Sequence, residues 1–168
     1  MKSVCILREG KYPIIDQGEE FIAGYTNNKL KVYSEKLPVV VFGDHTRILK
    51  FVDFPFALGA DGVKILVPKK NIDAKYFYYA LRKIKISSAG YSRHYKFLKE
   101  IKIPLPPLQV QKAIVSTLEK AEALKQKREQ ADKLTKEYLQ RIFYEMFYNK
   151  GLKEVELGDK SICQISGE

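Results

Sequence analysis

Ile103-Pro104-Leu105-Pro106-Pro107-Leu108-Gln109-Val110-Gln111 is the stretch on which the architecture turns. All seven prolines of the chain fall at or before Pro107, and from Leu108 through Lys150 there is neither proline nor glycine. Those two residues are the strongest local breakers, so their absence over about 40 positions predicts one long helix. Proline suits its entry, because the first helical turn needs no amide donor. Asn149-Lys150-Gly151 marks its exit, with Gly151 placed as a C-terminal cap. At 1.5 Å per residue the helix would extend for roughly 60 Å.

Along it, Ala121, Leu124, Arg128, Ala131, Tyr138 and Ile142 recur at three- and four-residue steps. The stripe is narrow and is broken by Arg128 and Thr135, whereas the ends are richer, with Ile114, Val115 and Leu118 at one and Phe143, Met146 and Phe147 at the other. A stripe of this width fits a coiled-coil-like partner helix better than a broad core. A lone rod of this polarity would be marginal, so an antiparallel partner helix is expected.

Upstream of the helix the reading is α+β, a mixed domain with an irregular, curved sheet. Leu37-Pro38-Val39-Val40-Val41-Phe42, closed by Gly43, is an apolar run of strand length, and Val63 to Val67 is another, stopped by Pro68. Gly24-Tyr25-Thr26-Asn27-Asn28 has the composition of a turn between strands. Phe77, Ala80, Leu81 and Ile84 have helical spacing behind Asp73, which is placed to cap. The expected domains are therefore 1–105, a 106–150 helix, and a 151–168 tail. About 17 residues cannot make a core alone, so that tail is expected to complete another domain, in this chain or in a mate.

The 168 residues carry 30 Lys/Arg against 20 Asp/Glu, a net charge of +10. The surplus is uneven: residues 1–104 contribute +9, 105–150 contribute +3, and 151–168 contribute −2. A folded basic domain favours a polyanion, because each neutralised phosphate releases counterions. Hydrophobic residues make up 45%, too many for a disordered tail. No apolar run nears the roughly 20 residues of a membrane helix, and the apolar stretch Val4 to Leu7 is too short for a secretory signal. With Cys5 and Cys163 in no metal-spaced cluster, a cytoplasmic protein with free thiols is expected, without a membrane partner.

Residues able to carry chemistry are few. His45 sits in Gly43-Asp44-His45-Thr46-Arg47, directly after a strand, where Asp-His could supply metal ligands or a base. The other histidine, His94, is flanked by Arg93 and Lys96, which would repel a cation. There is no glycine-rich phosphate loop and no nucleophile elbow. In Gly90-Tyr91-Ser92-Arg93-His94-Tyr95-Lys96, tyrosines alternate with cations, a pattern suited to phosphates and base edges. A solvated basic turn whose tyrosines dock into the core gives the same pattern. Lys64, Lys69 and Lys70 read as surface charges or nonspecific phosphate contacts.

Taken in order, Tyr12-Pro13-Ile14-Ile15, Gly24-Tyr25-Thr26, Leu37-Pro38 through Arg47, Gly59-Ala60-Asp61-Gly62, Gly90 through Tyr95 and the proline-rich helix entry resemble a target recognition domain. The family is the specificity subunit of type I restriction-modification enzymes. The resemblance implies a non-catalytic DNA specificity subunit that binds half of a bipartite double-stranded target. It implies long helices paired antiparallel as a spacer, and docking of the methyltransferase (M) and restriction-translocase (R) subunits. No cofactor is expected on this chain; S-adenosylmethionine, ATP and Mg would belong to the partners. Whole subunits resemble two such domains and two helices, whereas this chain has one of each. Leu152 to Asp159 resembles the opening strand of a recognition domain, so a circularly permuted half subunit acting as a homodimer, or a fragment, is expected.

The expected DNA-contacting residues are Tyr25, Thr26, Asn27, His45, Thr46, Arg47, Tyr91, Arg93, His94 and Lys96, with Arg47 and Arg93 foremost. Asp44 and Asp61, beside glycines, are expected to stabilise turns. The expected helix-partner interface is Leu118, Ala121, Leu124, Ala131, Tyr138 and Ile142. Two other readings remain open: a metal-dependent nucleic-acid enzyme using Asp44 and His45, and a helix-mediated protein adaptor.

Overall fold

The computed structural model of the chain describes residues 6–59, 62–84, 94–148, 150–151 and 155. Among the described residues seven short strands come first: β1 (Tyr12–Ile15), β2 (Gly24–Thr26), β3 (Val32–Tyr33), β4 (Val39–Gly43), β5 (Leu49–Val52), β6 (Phe56–Leu58) and β7 (Val63–Leu66). Three α-helices follow: α1 (Ala74–Lys83), α2 (Tyr95–Leu98) and α3 (Leu108–Phe147). The architecture is α+β, as the sequence predicts, but the strands divide between two small open sheets. One has the order β2-β1-β6-β3, with β1 and β6 parallel; the other is antiparallel, β5-β4-β7.

β4 is the centre of the domain. Val39, Val40, Val41 and Phe42 are buried on both faces of the strand. Val39 and Val41 pack with Ile15 of β1 and Phe56 of β6, which makes that face the core between the sheets. Alternation turns Val40 and Phe42 the other way. On that side α1 covers β4 and β5, and the ring of Phe51, opposite Val40, lies 6.0 Å from that of Tyr78. An uninterrupted apolar strand is what a position covered on both faces requires.

α1 begins where the capping residue predicts: the Asp73 carboxylate accepts a hydrogen bond from the Tyr76 amide at 2.9 Å. The Gly24–Asn28 segment departs from expectation. Its first three residues are strand β2, paired with β1 from Tyr12↔Thr26 to Ile14↔Gly24, and the turn comes after them. Gly24 has φ +150°, and a Cβ there would run into Ile6, so the position demands glycine.

The chain forms two compact units, residues 1–118 and 119–168, with the division inside α3. Within the first, Gln111 is fully buried and Val115 nearly so, and they are the only buried residues of the helix. The Gln111 amide accepts a hydrogen bond from the Asp73 N–H at 2.8 Å and donates to the carbonyls of Asn71 (3.1 Å) and Pro106 (2.7 Å). The Tyr76 hydroxyl donates to the Pro104 carbonyl at 2.8 Å. The helix entry is thereby tied to the cap of α1. In the second unit the described helical residues are mostly exposed and carry three (i, i+4) ion pairs, Lys125–Glu129, Lys133–Glu137 and Arg141–Glu145. Each supports a solvated helix by about 0.3–0.5 kcal/mol. Gly151 has the left-handed φ (+59°) of a capping glycine. Of the 151–168 tail, residues 152–154 and 156–168 lie outside the described residues.

Candidate nucleic-acid interface

Gly43, the last residue of β4, begins the turn that runs through Ile48 into β5, with the five residues Asp44 to Ile48 between the strands. The Gly43 N–H donates to the Ile48 carbonyl and the Arg47 N–H donates to that of Gly43, closing a tight loop. Gly43 is required by close approach, since a Cβ there would strike the Thr46 hydroxyl and Gln17. Arg47 adopts φ +64°, a left-handed geometry that costs a non-glycine residue roughly 1 kcal/mol. His45, Thr46 and Arg47 form the exposed tip.

Asp44 faces the other way and is 2% exposed. Its carboxylate accepts from the Tyr95 amide at 2.7 Å, and its own N–H donates to the Gly62 carbonyl at 2.7 Å. Its carbonyl takes the His94 amide at 3.0 Å and faces His94 Nδ1 at 2.9 Å. A carbonyl only accepts, so Nδ1 carries the ring proton. Two loops 50 residues apart in sequence are thus locked together through one aspartate. Asp44, expected to stabilise a turn, here bridges distant segments, while Asp61 lies outside the described residues. Asp44's carboxylate is turned away from solvent, and among the described residues no three His, Cys, Asp or Glu side chains converge on a point.

The lock brings α2 beside the hairpin. Lys96 is exposed, with its Nζ 4.9 Å from the Phe97 ring centroid, whereas the His94 ring is buried against Phe97. Tyr91 and Arg93 lie outside the described residues. An open concavity of about 470 Å³ forms here, lined by Asp44, Lys64, Tyr95, Lys96, Lys99 and Glu100.

Tyr25, Thr26 and Asn27 are placed differently. Tyr25 exchanges both backbone hydrogen bonds with Leu7. Thr26 is buried and its hydroxyl accepts from the Asn28 amide, while the Asn27 side chain accepts from the Lys11 amide at 3.0 Å. Thr26 pairs with Tyr12 at the start of β1, whereas Gln17, just past the end of β1, accepts from the His45 amide at 3.3 Å. At about 3.3 Å per residue, roughly 16 Å of chain separates this group from the hairpin. The expected contact residues therefore form two groups, of which His45, Thr46, Arg47, His94 and Lys96 are together. Of the helix positions, Leu118, Ala121, Leu124, Ala131 and Tyr138 are exposed and Ile142 is half-buried.

Three residues that shape this region escaped the sequence reading. Gln17 holds the hairpin, Gln111 anchors the helix, and Lys50 is buried, its ammonium donating to the Glu20 carbonyl and lying 3.4 Å from Asp16. A polar residue on an otherwise apolar strand was the only signal for Lys50. The glutamines had none, because all but one of the main-chain groups they meet are distant in sequence.

Comparison with known proteins agrees with the ordered motifs. The type I restriction modification DNA specificity domain matches residues 1–135. The chain is 32% identical over 125 residues to the type I restriction enzyme EcoR124I/EcoR124II specificity subunit of Escherichia coli, a match covering 67% of this chain and 31% of that protein. It thus spans about a third of the length of that curated relative. No solved structure matches it. With the family match extending over most of the sequence and an α+β domain running into a single long helix, the chain belongs to the type I restriction-modification DNA specificity domain family.

Proposed function

We propose that this chain is a non-catalytic DNA-reading module that binds one half of a split double-stranded target. The observation that carries the reading is the meeting of the exposed hairpin tip, His45-Thr46-Arg47, with the lysine-bearing helix α2 at one end of the β5-β4-β7 sheet. A left-handed arginine at a loop tip is the kind of strain that persists where a side chain must be presented. Guanidinium is also the group that pairs with the O6/N7 edge of guanine in the major groove. The surplus of +9 in residues 1–104 supports a polyanionic partner.

In this reading α3 is the spacer. Its exposed stripe pairs antiparallel with the same helix of a second copy, and that pair fixes the distance between half-sites. Methyltransferase and restriction subunits attach to the assembly in the cytoplasm and bring their own S-adenosylmethionine, ATP and Mg. The test is co-expression with a type I methyltransferase subunit, followed by methylation-site sequencing. A split methylated motif that vanishes with this gene supports the reading, and a palindromic one supports the second copy. A split motif without that symmetry overturns the homodimer, and no motif overturns the DNA-reading role.

A further inference from the structure

Beside the hairpin tip lies a group of cations that the reading of base edges does not use. Lys64 of β7 is in register with Phe42, one residue before the hairpin begins. Its Nζ sits 5.7 Å from the centroid of the Tyr95 ring, and the Nζ of Lys99 sits 5.1 Å from the same centroid. Among the described residues neither lysine is in an ion pair. The backbone that carries the ring is held in place, because the Tyr95 amide donates to the buried Asp44 carboxylate at 2.7 Å. Two ammonium groups are gathered around one aromatic ring whose main chain is tethered, on the open wall of the 470 Å³ concavity. Attraction to a ring face is weak at an exposed site, enough to bias where a lysine rests and too little to hold it against a full anionic charge.

We infer that Lys64 and Lys99, arranged by Tyr95, form a clamp for a phosphodiester of the DNA backbone next to the bases met by the hairpin. The inference rests on the DNA-reading role proposed above and names the part of the site that supplies affinity without sequence information. Phosphate contacts fix register and orientation, whereas base edges carry specificity. The site is thus split: Arg47 at the tip discriminates, and the lysines around Tyr95 hold.

The experiment measures binding of the full chain to a duplex carrying its methylated motif and to an unrelated duplex, across a salt series. Three proteins are compared: wild type, Lys64→Gln/Lys99→Gln, and Lys69→Gln/Lys70→Gln. The last removes the same charge just beyond the opposite end of β7. For the first double variant, affinity is expected to fall at least 10-fold on both duplexes, with the preference between them unchanged. The slope of log K against log salt should drop by about 0.9, the value for one phosphate no longer neutralised. The second double variant should leave the slope within about 0.5 of wild type, since each contact is worth near 0.9. Tyr95→Phe should behave as wild type, and Tyr95→Leu should weaken both duplexes a few-fold. Equal effects of the two double variants would reduce the clamp to general charge and overturn it. A loss of preference for the motif in Lys64→Gln/Lys99→Gln would overturn it in favour of base reading. Wild-type protein that binds neither duplex would overturn the DNA-reading role itself, a result distinct from the other two.

Discussion

Gln111 is the position where a single substitution should be most informative. Its side chain has no exposure and makes three hydrogen bonds, from the Asp73 amide and to the carbonyls of Asn71 and Pro106. Gln111→Met keeps the volume and removes all three. At a net value near 1 kcal/mol per bond, the loss is about 3 kcal/mol, within a range of roughly 1.5–4.5. Asn71 is exposed, so its carbonyl can recover water, which favours the lower half of that range. For a chain of this size about 3 kcal/mol corresponds to a fall in Tm of about 6–12 °C, read by thermal or urea denaturation. Gln111→Glu should be at least as damaging, because a carboxylate would face two carbonyl oxygens where an amide now donates. Gln111→Ala should exceed Met by the cost of a cavity. A Met variant melting within about 2 °C of wild type would refute the reasoning, since it would mean the bonds contribute less than 1 kcal/mol together.

Two further predictions concern the interface. Arg47→Gly should raise or leave unchanged the stability, by up to about 1 kcal/mol, since glycine takes φ +64° freely. The same variant should lose preference for the cognate duplex, so an equal or higher Tm with a lower specificity ratio is expected, and a lower Tm would show that the contacts of the Arg47 side chain outweigh the strain of its backbone. Lys50→Met keeps the apolar stem and strands the Glu20 carbonyl and Asp16. It should cost about 1–3 kcal/mol and, by releasing the segment that carries Gln17, reduce hydrogen-exchange protection of the His45 amide.

What could be read ahead of the structure was whatever depends on neighbours in sequence. The long helix follows from the absence of breakers after Pro107, α1 from Asp73 and the spacing behind it, and β4 from an apolar run ended by Gly43. The departures share one cause. Gly24–Asn28 has turn composition, yet its first half is strand because pairing with β1 outweighs a local preference worth under 1 kcal/mol. The parallel pairing of β1 with β6 joins residues more than 40 apart and leaves no local trace. In the interface, the two basic segments were legible as separate motifs. Their meeting through Asp44, the burial of His94 and the gathering of Lys64 and Lys99 around Tyr95 were not, because each depends on a contact between distant loops.

The joint at Gln111 has a consequence for how such a domain can change over generations. Every partner of that amide is a main-chain group, so the joint demands a backbone path at Asn71 and Pro106 and nothing of their side chains. Substitutions there that preserve the path leave the helix anchored. The hairpin tip and α2 can likewise be rewritten without touching it, because none of their residues takes part. Selection for a new target and selection for a sound joint therefore act on different codons, and much of the second falls on Gln111, with Tyr76 beside it.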